Sequence, residues 1–283
     1  MGVKRRKIRS PCLVGYGITR YSLTELHMQK PIIRAPIQPT QALYHFPAET
    51  FPMVHPVHWL HSHFAVGGWS PLQRLGDMLT AHMTRIAPHN GFTWHPHRGL
   101  EIYTWVLEGT LHHEDSVGGQ GDIGPAEFQR MFAGDYIEHQ ELNLTDDPVR
   151  VIQIWFVADP KYRGLEPHYQ QLQRDGLPAR RAGNATVYSL IDVDSPMQQH
   201  MTGRLTATVV APGGTTHIVP PRSDEDLFVY VTDGTGQVAC DEVATLRQYD
   251  VLLARADMES ATVTAAPDSA LHFLSFYLPR FLR

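Results

Sequence analysis

Trp94-His95-Pro96-His97-Arg98-Gly99 and, further along, Ile137-Glu138-His139-Gln140-Glu141 are the two stretches on which the reading of this chain turns. Each carries a pair of metal-capable side chains at i, i+2. In a β-strand that spacing puts both side chains on one face of the sheet. Two such strands facing each other in a small barrel would aim three imidazoles and one carboxylate at a single point, a donor set that suits a divalent transition metal. Pro96 agrees with the assignment, because proline is tolerated at a strand start or edge.

The surrounding sequence supplies the strands. Met78–Ile86 alternates roughly with period two, and Pro88-His89-Asn90-Gly91 signals a turn. Glu101–Leu107 is rich in β-branched and aromatic residues, with Glu108-Gly109 turning it. Thr110–Ser116, Phe128–Phe132, Tyr136–Glu141 and Arg150–Val157 follow as strands, with a Gly-rich turn at Val117–Asp122. Short strands separated by regular turns predict an all-β sandwich or barrel. Asp159–Pro178 changes character and reads as a crossover linker with one helical turn; strands resume at Ala185.

The second half reads as a worn copy of the first. Asp226–Gly234 aligns with Glu101–Gly109, which sets Pro220 against His95 and Arg222 against His97. Tyr249–Leu253 aligns with Gly134–Glu138, which sets Ala254 against His139 and Ala256 against Glu141. Every candidate ligand is lost in the copy, so the expectation is one metal per chain, in the first barrel.

The 283 residues suffice for two domains of about 100–150 residues each. A net charge of −5 argues against direct nucleic-acid binding, which leaves a basic footprint. Cys12 and Cys240 are the only cysteines, so a disulfide framework is not expected and a reducing, cytoplasmic setting fits. No apolar run of about 18 residues predicts a membrane helix. Lys4, Arg5, Arg6, Lys7 and Arg9 crowd the start. Residues 1–40 are read as a basic, poorly ordered extension, with Met28 an alternative start; the two expected domains span 41–165 and 166–283.

Other histidines compete. His58, His61 and His63 form a rival cluster, but in a Pro-rich leading segment with no matching second pair. His112 and His113 are adjacent and point to opposite faces, so a surface role beside the turn is expected. Glu101 shares the parity of His95 and His97, and periodicity alone leaves it level with Glu141 as the carboxylate ligand.

The stretch His95–Ser116 (HPHRGLEIYTWVLEGTLHHEDS), with Gly124-Pro125, Phe128-Gln129, Met131, Ala133-Gly134 and His139-x-Glu141, resembles the pirin family, and more closely its bacterial quercetin 2,3-dioxygenase branch. Trp155 and the Pro167–Tyr169 segment fit too. The resemblance is dense over residues 57–175 and thin beyond. It implies a bicupin: two cupin-type barrels, a metal in the first and a degenerate second. The family's three histidines and one glutamate fall on His95, His97, His139 and Glu141, which favours Glu141 over Glu101; Glu101 becomes a group that orients a ligand imidazole. The implied metal is Fe(II) first, with zinc, manganese, nickel, cobalt or copper compatible with the same donors. The implied activity is a dioxygenase that cleaves a flavonol such as quercetin with O2, with Glu141 also serving as base. The other function class is a non-enzymatic, metal- or redox-responsive regulator acting through a protein partner.

Overall fold

The computed structural model describes residues 42–162 and 164–282. The basic stretch at the start, Met28 and Cys12 lie outside the described residues. Among the described residues the chain is all-β, with three single 3-10 turns as its helical content. Among the same residues no helix is long and apolar enough to cross a membrane.

Four sheets form two barrels. The large sheet of the first barrel runs, strand by strand across it, His168–Leu172, Phe128–Phe132, Leu100–Glu108, Val149–Val157, Met78–Ile86, Leu60–Val66 and Met53–Val57. Its small sheet runs Gly91–His97, Ile137–Leu142, Leu111–Asp115 and Gln120–Ile123. The second barrel repeats the plan: Leu43–Phe46, Val251–Ala254, Glu225–Asp233, Leu271–Pro279, Arg204–Val210, Ala185–Ile191 and Ala179–Ala182, faced by Thr215–Ile218, Ala261–Ala265, Gly236–Ala239 and Val243–Leu246. This is the bicupin architecture that the sequence led us to expect.

The duplication is real, and one of its two alignments needs correction. Leu100–Glu108 and Glu225–Asp233 hold the same place in their sheets. Gly109 and Gly234, which follow them, both have positive φ, 72° and 78°, and an added Cβ would strike the backbone oxygen of Pro148 or Ala270. Only glycine fits there. The counterpart of Val251–Ala254, however, is Phe128–Phe132 rather than Ile137–Leu142. Ala126 and Tyr249 mark the true match. Both take positive φ, and their N–H groups donate to Val106 and Val231, which sit at equivalent places in the paired strands. Gly134-Asp135 and Tyr249-Asp250 each precede a strand but stand before different strands of the two halves, so the short match slid to the wrong one. In the corrected register Glu141, opposite His113, answers to Val263, opposite Val238, and His139 answers to Ala261. The ligands are still lost, but to Ala261 and Val263 rather than to Ala254 and Ala256. Val263, Ala265, Ile218 and Val238 belong to the apolar filling of the second barrel.

Sheet membership also departs from the expected boundary at 165/166. The supposed crossover linker carries the strand His168–Leu172, which pairs with Phe128–Phe132 at the edge of the first barrel's sheet. Leu43–Phe46 does the reverse and pairs with Val251–Ala254. Each half thus lends its leading strand to the other. Both are edge strands, bonded on one side, so their sequences lack the apolar run of the central strands. The outer faces of the two large sheets bury Met83, Tyr103, Ile154, Phe228, Tyr230 and Phe276 in one shared core. That leaves strands such as Val149–Val157 buried on both faces, hence their nearly continuous apolar sequence.

Candidate metal centre

The small sheet of the first barrel aims its polar side chains inward. Ile137–Leu142 is its second strand, with Ile137, His139 and Glu141 buried and the residues between them less so. His139 lies opposite His95, and Ile137 opposite His97. A β-bulge follows: Glu141 pairs with Phe92, so Thr93 and Trp94 both face outward while Phe92 and His95 face in. Nδ1 of His95 meets the carbonyl of Thr93 within that bulge at 2.8 Å. The contact makes Nδ1 the donor and leaves the Nε2 lone pair free.

Ligand-capable atoms of His95, His97 and His139 lie within 4.8 Å of one another. The ring centroids are 4.3 Å apart for His95 and His139, and 5.0 Å for both pairs involving His97. Nε2 of His97 and both ring nitrogens of His139 are buried without a hydrogen-bond partner. Burial pushes the His97 imidazole down to about 3, with the neighbouring His95 adding to the effect. Burial, then His95, His97 and His113, pushes His139 far below its ordinary range. Neutral imidazoles with unpartnered nitrogens are costly in a protein interior and are what a divalent cation requires. The donor set therefore fits a metal.

Glu141 is 2% exposed and lies at the same level, but it is held differently. Gln129 Nε2 donates to its Oε1 at 2.9 Å, and Gln153 Nε2 donates to its Oε2. Its ligand atoms group with those of His113 and His139, within 4.8 Å of one another. The opposing large sheet supplies these amides from one inward row, Phe64, His82, Gln153, Thr104 and Gln129, cross-strand neighbours in that order. Trp155, one step along, sets its ring edge-on to His97 at 5.0 Å.

Three expectations change. Glu101 does not face the histidines. Gly99, with φ 61°, breaks the chain after His97, so Glu101 starts a new strand in the other sheet and the parity argument lapses. It is fully buried, pairs with Arg130 Nε and accepts the His200 N–H at 2.8 Å on both oxygens. His113 is not at the surface: it is 0% exposed and lies opposite Glu141. The alternation of Leu111-His112-His113-Glu114-Asp115, anchored inward by Leu111, carried that signal. The rival cluster disperses: His63 enters the shared core and bonds Tyr230 Oη at 2.7 Å, while His55 and His61 pair at its margin. The sequence reading gave Gln129 and Gln153 no role at the site; a glutamine at an inward position of a buried strand was their mark.

Comparisons with known proteins agree on the family. The Pirin family model matches residues 65–156. A pirin-like protein of Caulobacter vibrioides is 32% identical over 192 residues, 65% of this chain and 68% of its own length. The quercetin 2,3-dioxygenase of Escherichia coli K12 is 36% identical over 115 residues, 40% of this chain and 46% of its own length. The chain spans about half the length of the first curated relatives it matches, 52% and 46%. Among solved structures, a bacterial pirin from Escherichia coli in complex with nickel(II) superposes with a TM-score of 0.69 at 24% identity, over 84% of this chain and 99% of that one.

Proposed function

Since the chain belongs to the pirin family, we propose that it holds one divalent metal through His95, His97 and His139, with Glu141 as the carboxylate partner, and that it acts as a dioxygenase on a flavonol or related aromatic enol. The observation that carries this reading is the meeting of three imidazoles whose buried nitrogens have no other partner. The relatives named as quercetin 2,3-dioxygenases supply the substrate class. The pirin in complex with nickel(II) supports the metal, and Fe(II) is the choice that suits O2 chemistry.

Held by these residues, a divalent metal would supply Lewis-acid and O2 chemistry at the site. The protein's own groups do the rest. Burial keeps His97 and His139 unprotonated at neutral pH. The amides of Gln129 and Gln153 clamp both oxygens of Glu141, fixing the direction in which it accepts the substrate's hydroxyl proton. Trp155 walls the site beside His97, and an aromatic substrate packs against such a face. The apolar layer of Val106, Val151, Leu111 and Ile123 closes the far end of the barrel to water.

The test is an anaerobic metal analysis followed by O2 uptake over a panel of flavonols with Fe, Mn, Ni, Co or Cu restored. Flavonol-dependent uptake, lost in His139→Ala, is the expected result. Uptake no faster than with free metal would overturn the enzyme reading in favour of a metal-responsive regulator that acts through a protein partner.

A further inference from the structure

We propose that the first barrel offers its ion a second, inner station built by His113, His139 and Glu141, with His113 as the defining ligand. The inference rests on the reading that the outer histidines hold a divalent metal, and it concerns a side chain that this reading leaves idle.

His113 is placed as a ligand is placed. It projects from Leu111–Asp115 into the barrel, directly across the ladder from Glu141. Its ligand-capable atom lies within 4.8 Å of those of His139 and Glu141, and all three residues are buried. Nδ1 of His113 has no hydrogen-bond partner. Nε2 sits 3.2 Å from Oδ2 of Asp115, a carboxylate with no side-chain exposure. Asp115 is itself fixed, because its Oδ1 accepts the N–H groups of Val117 at 3.0 Å and Gly119 at 2.8 Å. A carboxylate that accepts one ring N–H sets the tautomer and aims the other nitrogen's lone pair. This is how metal-binding imidazoles are oriented. The ring is also immobilised from the side, since Tyr169 stacks on it at 4.4 Å with an interplanar angle of 11°. An imidazole nitrogen so buried, so aimed and so unpartnered is costly unless something binds it.

The two stations differ chemically. The outer one offers three imidazoles, with Glu141 as its carboxylate partner. The inner one offers two imidazoles and a carboxylate, the donor set of non-haem Fe(II) sites with open positions. The carboxylate removes one unit of the ion's charge. His139 and Glu141 serve both stations, which share two of their ligands. In this proposal the two are alternatives for a single ion.

The probe is Co(II) alone, titrated into the full chain and followed by visible absorption and by competition with a chelator. The wild type is expected to bind one equivalent. The double variant His95→Ala/His97→Ala is expected to keep one equivalent, more weakly and with an altered visible spectrum. Adding His113→Leu to that background should abolish the remaining binding. Adding Asp115→Asn instead keeps the imidazole but loosens its aim, and should weaken binding by about 10–100-fold. Near-UV circular dichroism reports whether each variant is folded, and if His113→Leu is not, the Asp115→Asn comparison decides. A double variant that binds no more Co(II) than His139→Ala, or binding there that ignores both His113→Leu and Asp115→Asn, overturns the inner station and leaves the outer one standing. A wild type that binds no Co(II) overturns the outer reading and the inference with it.

Discussion

Tyr169 lies flat on His113, ring centroids 4.4 Å apart, although the tyrosine rides on the strand that leads into the second half and the histidine on a strand of the first. Gly119 and Gly121 make the approach possible: a Cβ on Gly119 would come within 2.5 Å of Tyr169 Cβ, and one on Gly121 within 2.6 Å of its hydroxyl. Tyr169→Ala should therefore cost about 1–3 kcal/mol of stability by removing both the stack and part of the edge closure. Tyr169→Phe, which loses the bond to Gln171 Oε1, should cost about 1 kcal/mol. Urea melts of both variants check the order; equal costs would show that the stack contributes nothing.

The two carboxylates once level as ligand candidates should now behave oppositely. Glu101→Gln leaves the fully buried Arg130 without its charge partner and should destabilise the fold by about 3–5 kcal/mol. Glu141→Gln should leave stability nearly intact and weaken metal binding. Thermal melts with and without Co(II) separate the two effects.

The amides of Gln129 and Gln153 give Glu141 its direction. Replacing either by leucine should weaken metal affinity by about 10–100-fold with the histidines untouched. Chelator competition is the measurement, and unchanged affinity in both variants would show that Glu141 needs no such support.

Acid should weaken the metal-free protein through two histidines outside the metal ligands. Burial holds His82 down to about 3, and burial with Arg130 nearby holds His200 down to about 4. Their unfolded value is 6.5, so below that pH the unfolded chain binds more protons than the folded one. Stability is fully present above pH 6.5 and falls as pH drops toward 4 for His200 and 3 for His82, by at most about 1.4 kcal/mol per pH unit for each group. Urea midpoints between pH 7 and pH 4.5 should fall accordingly, and His82→Gln should flatten the slope.

The sequence makes the histidine pairs legible because i, i+2 spacing in a strand survives any error in loop placement. It makes Leu100–Glu108 legible because β-branched and aromatic residues crowd it. What stayed hidden has physical causes. Glu101 and His97 keep parity on paper, but a left-handed Gly99 turns the chain between them into a different sheet. His113 looked external because two adjacent histidines give no hint which one faces inward until Leu111 is seen to be fully buried. His168–Leu172 looked like a linker because an edge strand needs only one bonded neighbour and can stay polar. Ala261 and Val263 were missed as the counterparts of His139 and Glu141 because each half has two turn-plus-strand segments, and a match of five residues is too short to tell them apart.

The reciprocal loan of leading strands bears on how the chain is made. Residues 43–46 are synthesised early, yet their hydrogen-bond partners at 251–254 come near the end. The first barrel, in turn, lacks an edge until 168–172 has left the ribosome. For most of translation, then, a strand waits unpaired and an open sheet edge is exposed, a combination that invites association between nascent chains. Pairings so distant along the chain also slow folding, because loop closure must be met before the contacts form. Each half thus depends on a strand of the other to complete its large sheet. A gene split at the middle would strand each barrel without its seventh strand, whereas two such fragments made together carry everything needed to complete one another.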